Sequence, residues 1–344
     1  MRNHKKILIA KVDHIGDYIL FRNFLKPLKE KYPDFKITMI GNNSYKDIVE
    51  KYDSKEISKF IGINQKKFYN SKRYRSEALT KLLGEKYNIL IHPTFSRLYV
   101  VDEFISKINA TQKISPVGDS FNQKVKLKKI SDKFYTTLIK NPEMRLNKFN
   151  TKTKVRIHEF DKQKSFFSKL LNLNLTKVAI HLEYKKSKQN DYAIIFPGAD
   201  SKLRMWSPRK FAKVADFLNI NHGLKILICG NGKDAISAKK IIKNSKVNIK
   251  NMVNETPLPE LINLIGNAKI IITGNTCAAH IAAATKTKFI CIDTGIFHGR
   301  FVPYPNMNSI SKLCLPPFYF KNFHGPINLI SSKQVKDKTD KLIK

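Results

Sequence analysis

Several features that mark common protein classes are scarce in this chain of 344 residues. It has four cysteines and none lies in a CxxC pair, so the spacing does not indicate a disulfide framework or a zinc site. Tryptophan occurs once, and 27 acidic residues stand against 64 basic ones. The cysteine pattern is typical of buried thiols in a reducing compartment.

Long apolar runs are also absent. The apolar run near the N-terminus holds only about four residues before Lys11, which is too short for the core of a signal peptide. No window approaches the roughly 18 apolar residues of a transmembrane helix. The sequence therefore predicts a cytoplasmic protein, at most peripheral at the inner face of the cytoplasmic membrane.

The excess of basic residues gives a net charge of +37. A field of this size attracts polyanions, which include nucleic acid, anionic lipid surfaces and phosphorylated glycolipids. Because lysine is spread along the whole chain, a compositional habit without function is the alternative. Charge does not bear on the fold, whereas the hydrophobic content of 42% indicates a globular protein.

Short apolar strands alternate with helices in both halves of the chain. Such a βαβα pattern predicts an α/β fold built from doubly wound parallel sheets. The first half is regular to about residue 108, the segment from 113 to about 174 is irregular, and the pattern restarts with a strand at Tyr192–Phe196. We therefore expect two Rossmann-like domains, residues 1–176 and 191–344, joined by a linker at 177–190 and facing a central cleft. The last helix is a candidate to pack back on the first domain.

The first candidate site follows the first predicted strand, where the chain reads Asp13-His14-Ile15-Gly16-Asp17. We interpret these residues as a loop in which glycine permits a turn that a side chain would obstruct. A carboxylate at this point suits a general base. Capping of the following helix by Asp17 is the alternative.

The second candidate site is the loop that begins Pro197-Gly198 and ends at Trp206. Its cations, Lys202 and Arg204, are suited to clamp a diphosphate, since arginine offers a bidentate fork. The alternative is a solvated loop with the tryptophan packed on the domain.

The third candidate site is a turn between a predicted strand, Lys269–Thr273, and an alanine-rich helix, Ala278–Thr285. It offers Asn275, Thr276 and His280 at a helix N-terminus, where backbone N–H groups and the helix dipole favour an anion. An ordinary turn with a capping threonine and a packed histidine is the alternative. Sequence motifs for a dinucleotide cofactor, a Walker loop, a Ser/His/Asp triad or a metal cluster are missing.

Taken in order, these motifs resemble glycosyltransferase family 9, the ADP-heptose:lipopolysaccharide heptosyltransferases and their relatives. The matching segments are KILIAKVDHIGDYIL, IIFPGADSKLRMWSPRKFAKVADFL, LPELINLIGNAKIIITGNTCAAHIAAATKTKFICI and PYP. The resemblance implies a GT-B architecture, with the acceptor on the N-terminal domain and a nucleotide-sugar donor on the C-terminal one. It implies inverting transfer of heptose or a related sugar to a lipopolysaccharide core, a lipooligosaccharide or another surface glycan. It implies neither metal nor cofactor, and no nucleic-acid partner.

The resemblance also assigns roles to residues. Asp17 matches the carboxylate that deprotonates the acceptor, Arg204 the cation that neutralises the diphosphate, and Thr256 a position beside the nucleobase. The remaining expected contacts are of two kinds. On the donor side they are Gly198, Ser201, Lys202, Asn275, Thr276 and His280, and around the acceptor or cleft they are Asp13, His14, Arg97 and Arg300.

The sequence departs from the family where the usual Asp-Thr-Gly turn reads Asn275-Thr276-Cys277. Asparagine keeps a hydrogen-bonding group but loses a charge, and cysteine adopts left-handed dihedral angles less readily than glycine. This departure leaves open a degenerate member that binds a nucleotide or glycan without catalysis. The net charge and basic-aromatic stretches such as Lys66–Arg75 leave open a second alternative, a basic nucleic-acid-binding protein.

Overall fold

The structure is a computed structural model that describes residues 5–142, 146–147, 150–154, 156–187, 190–317 and 325–344. The chain divides into two compact units. The first unit comprises Met1–Met144 and Glu159–Ala179, and the second comprises Arg145–His158 and Ile180–Lys344. Each unit contains its own parallel sheet.

The first unit alternates strands and helices from the start. Its strands are β1 (Lys6–Lys11), β2 (Lys36–Asn42), β3 (Lys59–Ile63), β4 (Tyr87–Ile91), β5 (Ala110–Pro116) and β6 (Thr137–Ile139). The helices that connect them are α1 (Ile15–Phe21), α2 (Leu25–Lys31), α3 (Lys46–Tyr52), α4 (Gln65–Asn70), α5 (Lys72–Leu83), α6 (Tyr99–Ser106) and α7 (Val125–Ser131). A hairpin, β7 (Leu146–Asn147) and β8 (Asn150–Lys154), precedes α8 (Glu159–Leu171), which returns to this unit.

Within the described residues, the sheet of the first unit has the order β3-β2-β1-β4-β5-β6, and all its pairs are parallel. Ile7 of the central strand lies opposite Ile37 on one side and Ile89 on the other. All three isoleucines are buried, as expected for strands covered by helices on both faces. The chain therefore winds outward from β1 in one direction and then reverses to β4 on the other side.

The second unit repeats this arrangement. Its strands are β9 (Tyr192–Phe196), β10 (Lys225–Gly230), β11 (Ile249–Val253), β12 (Ile270–Gly274), β13 (Phe289–Ile292) and β14 (Ser311–Cys314). Its helices are α9 (Pro208–His222), α10 (Ala235–Asn244), α11 (Leu258–Asn267), α12 (Cys277–Thr285) and α13 (Ser332–Ile343). The described strands pair in parallel in the order β11-β10-β9-β12-β13-β14, so the reversal falls between β9 and β12.

The α/β class and the two doubly wound sheets agree with the prediction, but two details differ. Residues 145–158, predicted in the first domain, group with the second unit. The last helix, a candidate to pack on the first domain, buries Val335 and Leu342 in the core of the second unit instead. Among the described residues, no helix is long and apolar enough to cross a bilayer.

Besides the β7–β8 hairpin, three strands of the two parallel sheets escaped the prediction because their sequences carry little apolar signal. β5 reads ATQKISP and exposes Thr111 and Gln112, β6 has three residues, and β14 has four. Each pairs with a neighbouring strand of a sheet that is already formed. Their backbone hydrogen bonds therefore come from tertiary context rather than from strand propensity.

Arg97, predicted to line an acceptor site, is a structural residue of the first unit. Its side chain is 1% exposed and donates hydrogen bonds to Ser115 Oγ at 3.0 Å, to the Pro116 carbonyl at 2.8 Å, and to Asp132. Its Nε lies 3.4 Å from the carboxylate of Asp102, which is fully buried. A guanidinium held in this way does not reach a ligand, so that prediction is wrong.

Replacing this arginine is expected to destabilise the protein strongly. Arg97→Met keeps the apolar stem but leaves the buried Asp102 carboxylate without its cation, which typically costs about 3–5 kcal/mol. Urea unfolding measures the loss. Arg73→Met is the matched control, because its 3.0 Å pair with Glu77 is exposed and such pairs contribute about 0.5 kcal/mol or less. Equal losses in the two variants would contradict the structural role of Arg97.

Candidate functional site

The predicted site residues cluster at the carboxyl ends of the strands, beside the point of reversal in each sheet. Asp13 and Asp17 follow β1 in the first unit. In the second unit Arg204 follows β9, and Asn275 follows β12. In open α/β sheets, ligands bind at this switch point, because the two diverging connections leave a crevice between them.

In the first unit, helix α1 begins earlier than predicted. The helix starts at Ile15, with His14 as the residue before it, so Gly16 and Asp17 belong to its first turn rather than to a loop. The interpretation of Gly16 as a turn residue is therefore wrong. Asp17 is the third helical residue and does not cap the helix, which removes the capping alternative. His14 is exposed at the same edge.

Asp13 is held in place across the switch point of the first sheet. Its Oδ2 lies 2.6 Å from Lys11 Nζ and accepts a hydrogen bond from Thr94 Oγ1 at 2.8 Å, where Thr94 follows β4. The Asn42 side chain donates to its carbonyl at 3.2 Å. Lys11 is only 2% exposed, so this ion pair is screened little by water. Asp13 is therefore a rigid, ionised neighbour of the candidate base.

The charges around Asp17 oppose its ionisation. Burial first, and then the negative charge of Asp13, raise the pKa of Asp17 to about 6, with Glu159 acting in the same direction and Lys11 against it. For Asp13, burial is offset by Lys11 and Thr94, so its pKa lies below the usual value. The pKa values of the two carboxylates are thus shifted in opposite directions. One stays charged, and the other takes and gives up a proton near neutral pH.

In the second unit, Arg204 reaches the turn after β12. Its guanidinium donates to the backbone carbonyl of Asn275 and lies over the ring of Phe297, 5.3 Å from the ring centre. Asp293, which follows β13, is 2% exposed, and burial raises its pKa while the charge of Arg204 opposes that rise. The arginine therefore joins the loop after β9 to the turn after β12.

The turn itself has a hydrogen-bonding pattern of its own. Asn275 is buried, and its side-chain amide donates to Asp293 Oδ2 at 3.5 Å. Thr276 precedes helix α12, but its hydroxyl lies 3.1 Å from Thr273 Oγ1 and makes no capping bond to the helix. The capping alternative for Thr276 is therefore not what the structure shows. An anion at the start of α12 would meet backbone N–H groups without a threonine cap in the way.

His280 is packed inside the unit. It is 6% exposed, its Nδ1 shares a hydrogen bond with the hydroxyl of Tyr304, and the ring of Phe301 meets it edge-on. Burial, with a smaller effect from His158, lowers the pKa of His280 to about 3. The imidazole is therefore neutral at pH 7 and braces the loop at 297–304, which agrees with the packed alternative.

The remaining predicted site residues and their neighbours differ in exposure and in contacts. Ser201 and Lys202 are exposed, and Trp206 is buried with its indole N–H bonded to the Ile330 carbonyl at 3.0 Å. Thr256 lies past β11, at the same edge, and its hydroxyl donates to the Met252 carbonyl at 3.4 Å. Arg300 lies over the ring of Phe301 at 4.9 Å.

Gly198 is required by close packing against a carboxylate. A Cβ at this position would come within 2.3 Å of Asp234 Oδ1, and one at Gly230 would come within 2.6 Å of Oδ2. Asp234 is 4% exposed, and its Oδ2 accepts a hydrogen bond from the backbone N–H of Asn231 at 2.9 Å. Glycine at the ends of two neighbouring strands therefore leaves room for the buried carboxylate of Asp234 at the edge of the second sheet.

Sequence reasoning gave no role to four charged residues that shape these sites, namely Lys11, Glu159, Asp234 and Asp293. Asp234 and Asp293 follow predicted strands, so their position was a usable signal. Lys11 stands at the end of an apolar strand, and burying an unpaired charge there costs free energy. A lysine at such a position therefore indicates a nearby carboxylate, which was also a usable signal. Glu159 begins a helix far along the chain, and no local pattern connects it to Asp17.

Within the described ranges, no three His, Cys, Asp or Glu side chains are grouped so as to hold a metal ion. The four cysteines are free thiols. Burial raises the pKa of Cys277, the first residue of α12, to about 12, so this thiol is protonated at neutral pH.

Comparison with known proteins identifies relatives that span the chain. Lipopolysaccharide heptosyltransferase 3 of Escherichia coli is 24% identical over 298 residues, which cover 85% of this chain and 84% of the relative. Among solved structures, E. coli heptosyltransferase WaaC with ADP has a TM-score of 0.75 at 14% identity, covering 98% of this chain and 99% of that one. WaaC with ADP-2-deoxy-2-fluoro heptose has a TM-score of 0.73 at 14% identity, with the same coverage.

At these identities the structural likeness establishes the fold, which is the GT-B architecture of two Rossmann-like units. The sequence establishes more. The profile of glycosyltransferase family 9 (heptosyltransferase) matches residues 130–316, which are more than half of the chain. The protein therefore belongs to glycosyltransferase family 9, the heptosyltransferase family.

Proposed function

We propose that this chain transfers heptose, or a closely related sugar, from ADP-heptose to a lipopolysaccharide or lipooligosaccharide core or another surface glycan. The observation that carries the proposal is the bond from Arg204 to the Asn275 carbonyl, which unites the two predicted parts of a diphosphate site. The name of the E. coli relative, lipopolysaccharide heptosyltransferase 3, supports both the sugar and a lipopolysaccharide acceptor.

In the proposed reaction Asp17 is the general base. It removes a proton from the acceptor hydroxyl, whose oxygen then attacks the anomeric carbon from the side opposite the leaving diphosphate, so the configuration inverts. A carboxylate with a pKa of about 6 is ionised at pH 7 and basic enough for this role. Asp13 keeps that pKa high by its fixed negative charge.

The departing ADP gains negative charge as the sugar leaves. We propose that Arg204, Lys202 and the N-terminus of α12 stabilise that charge, and that no metal ion takes part. Arginine is suited to this because its fork bonds two phosphate oxygens. Asn275 and Thr276 add an amide and a hydroxyl, and Thr256 at the outer strand is proposed to lie beside the nucleobase.

We further propose that the protein works at the inner face of the cytoplasmic membrane, where a glycolipid acceptor would be available. The support is the net charge of +37, which favours an anionic lipid surface over the bulk solution. A nucleic-acid partner and an additional cofactor are not part of the proposal.

Asp17→Asn is expected to lower the rate of transfer strongly and to leave donor binding intact. The amide keeps the shape of the side chain but takes no proton, and loss of a general base typically lowers the rate by about 10²–10⁴-fold. Transfer of heptose from ADP-heptose to a core acceptor measures the rate, and calorimetric titration with ADP measures binding. Turnover at the wild-type rate would exclude Asp17 as the base.

Arg204→Met is expected to weaken ADP binding by about 10- to 100-fold, because a charge-assisted hydrogen bond contributes about 1.5–3 kcal/mol. Arg209→Met is the matched control, since Arg209 is exposed on α9 only five positions away. Titration of both variants with ADP makes the comparison. If both bind ADP as the wild type does, the diphosphate site lies elsewhere.

The rate should depend on pH with an acid limb near pH 6. Below that value Asp17 is protonated, so kcat/KM should fall about tenfold per pH unit, and above it the rate should level off. Asp13→Asn removes a neighbouring negative charge and should move the limb to lower pH. Glu159→Gln should move it in the same direction by less. A limb that stays fixed in both variants would show that another group titrates.

A further inference from the structure

The segment between β5 and β6 exposes apolar and basic side chains together. Phe121, Val125 and Ile130 are 58%, 59% and 41% exposed. The lysines exposed among them are Lys124, Lys126, Lys129 and Lys133. We call these seven residues the α7 patch. Large exposed apolar residues that are grouped within one short segment indicate a surface with a partner.

The patch has a defined orientation on the helix. At about 100° per residue, Val125, Lys126, Lys129 and Ile130 of α7 fall within an arc of about 140°. Ser131 lies outside that arc and is buried. Lys128 also lies outside it, half-buried and 2.7 Å from the carboxylate of Asp132. The inner face of α7 therefore contacts its own unit, and the outer face carries two aliphatic side chains, Val125 and Ile130, with Lys126 and Lys129 between them.

Hydrogen bonds connect the patch to the edge of the first sheet, where the candidate base lies. The side chain of Asn122 donates to the Ser96 carbonyl at 2.7 Å, and the Asp119 amide donates to the Phe95 carbonyl at 2.9 Å. These acceptors follow Thr94, whose hydroxyl bonds Asp13. Two hydrogen bonds thus connect the start of the patch to the switch point of the first sheet.

We propose that the α7 patch docks the protein on an anionic phospholipid bilayer, with Phe121, Val125 and Ile130 entering the interface and the lysines contacting lipid phosphates. This inference rests on the proposed function, since it places the first unit where a lipid-linked acceptor would lie. Basic amphipathic helices bind membranes in this way, through buried apolar area and attraction to anionic lipid.

The charge of the patch argues against the other occupants. A second copy of the same face would bring four exposed lysines against four more, with repulsion rather than complementarity. Nucleic acid would match the lysines but would leave the aliphatic side chains, Val125 and Ile130, without a partner, because the phosphate backbone dominates that contact. An anionic bilayer complements both kinds of side chain.

Flotation with vesicles tests the proposal on the full chain. One set of vesicles holds equal parts of phosphatidylglycerol and phosphatidylethanolamine, and the other is phosphatidylcholine alone. The wild type should float with the anionic set and be released by salt. The triple variant K124Q/K126Q/K129Q should bind about 100-fold more weakly, because each lysine near an anionic surface contributes about fivefold. The variant F121S/V125S/I130S should also lose binding.

The second unit supplies a matched control. Helix α10 exposes Ile236 together with Lys239, Lys240 and Lys243. The variant I236S/K239Q/K240Q/K243Q replaces three lysines, as the lysine variant does, and one exposed isoleucine in addition. Its affinity for the anionic vesicles should stay within about threefold of the wild-type value. Thermal unfolding of every variant shows whether it remains folded. We expect all of them to fold, because the substituted side chains are exposed.

Four results would overturn the proposal. They are no flotation of the wild type, unchanged flotation of both patch variants, equal loss in the α10 control, and patch-dependent binding to an oligonucleotide or to a second copy in place of vesicles. Transfer to a delipidated, water-soluble core oligosaccharide should be unchanged in the patch variants. Absence of that transfer in the wild type would reject the proposed function, whereas the flotation result would stand by itself.

Discussion

The whole arrangement depends on one constraint, which is that parallel strands bring their carboxyl ends to the same edge. Each unit begins in the middle of its sheet and reverses direction after the third strand. The connections on the two sides of the reversal diverge, and a hydrogen bond links the two sides in each unit. In the first unit it joins Thr94 to Asp13, and in the second it joins Arg204 to Asn275. The sites follow from this topology.

Buried charge then gives the two edges different chemistry. At the first edge, Lys11 fixes a negative Asp13, and that charge, together with burial, moves the proton affinity of Asp17 towards neutral pH. At the second edge, Arg204 is held by a carbonyl and an aromatic ring, and no carboxylate among the described residues forms an ion pair with it. A cation held without a carboxylate in contact remains available to an anionic ligand. One topology thus supports a base and an anion site.

Prediction succeeded where the information is local. The strands at Tyr192–Phe196 and Phe289–Ile292 are apolar runs, and the start of α9 carries a serine followed by proline, so both kinds of element show in the sequence. Prediction failed for β5 and for residues 145–158, which group with the second unit. β5 is placed by pairing with β4 and β6, and Arg156 and His158 bond the carbonyls of Ile296 and Phe301. No local periodicity records such long-range contacts.

The sequence by itself determined the two α/β units, the three loops that carry polar residues at strand ends, and the family. The tertiary structure alone decided which of those residues are available to a ligand. Arg97 and Arg204 both follow a strand, yet Arg97 is sealed against Asp102 and Asp132, whereas Arg204 meets a carbonyl. The partner of a charged side chain is set by segments far away in the chain, because burial and ion pairing are properties of the folded neighbourhood rather than of the local sequence.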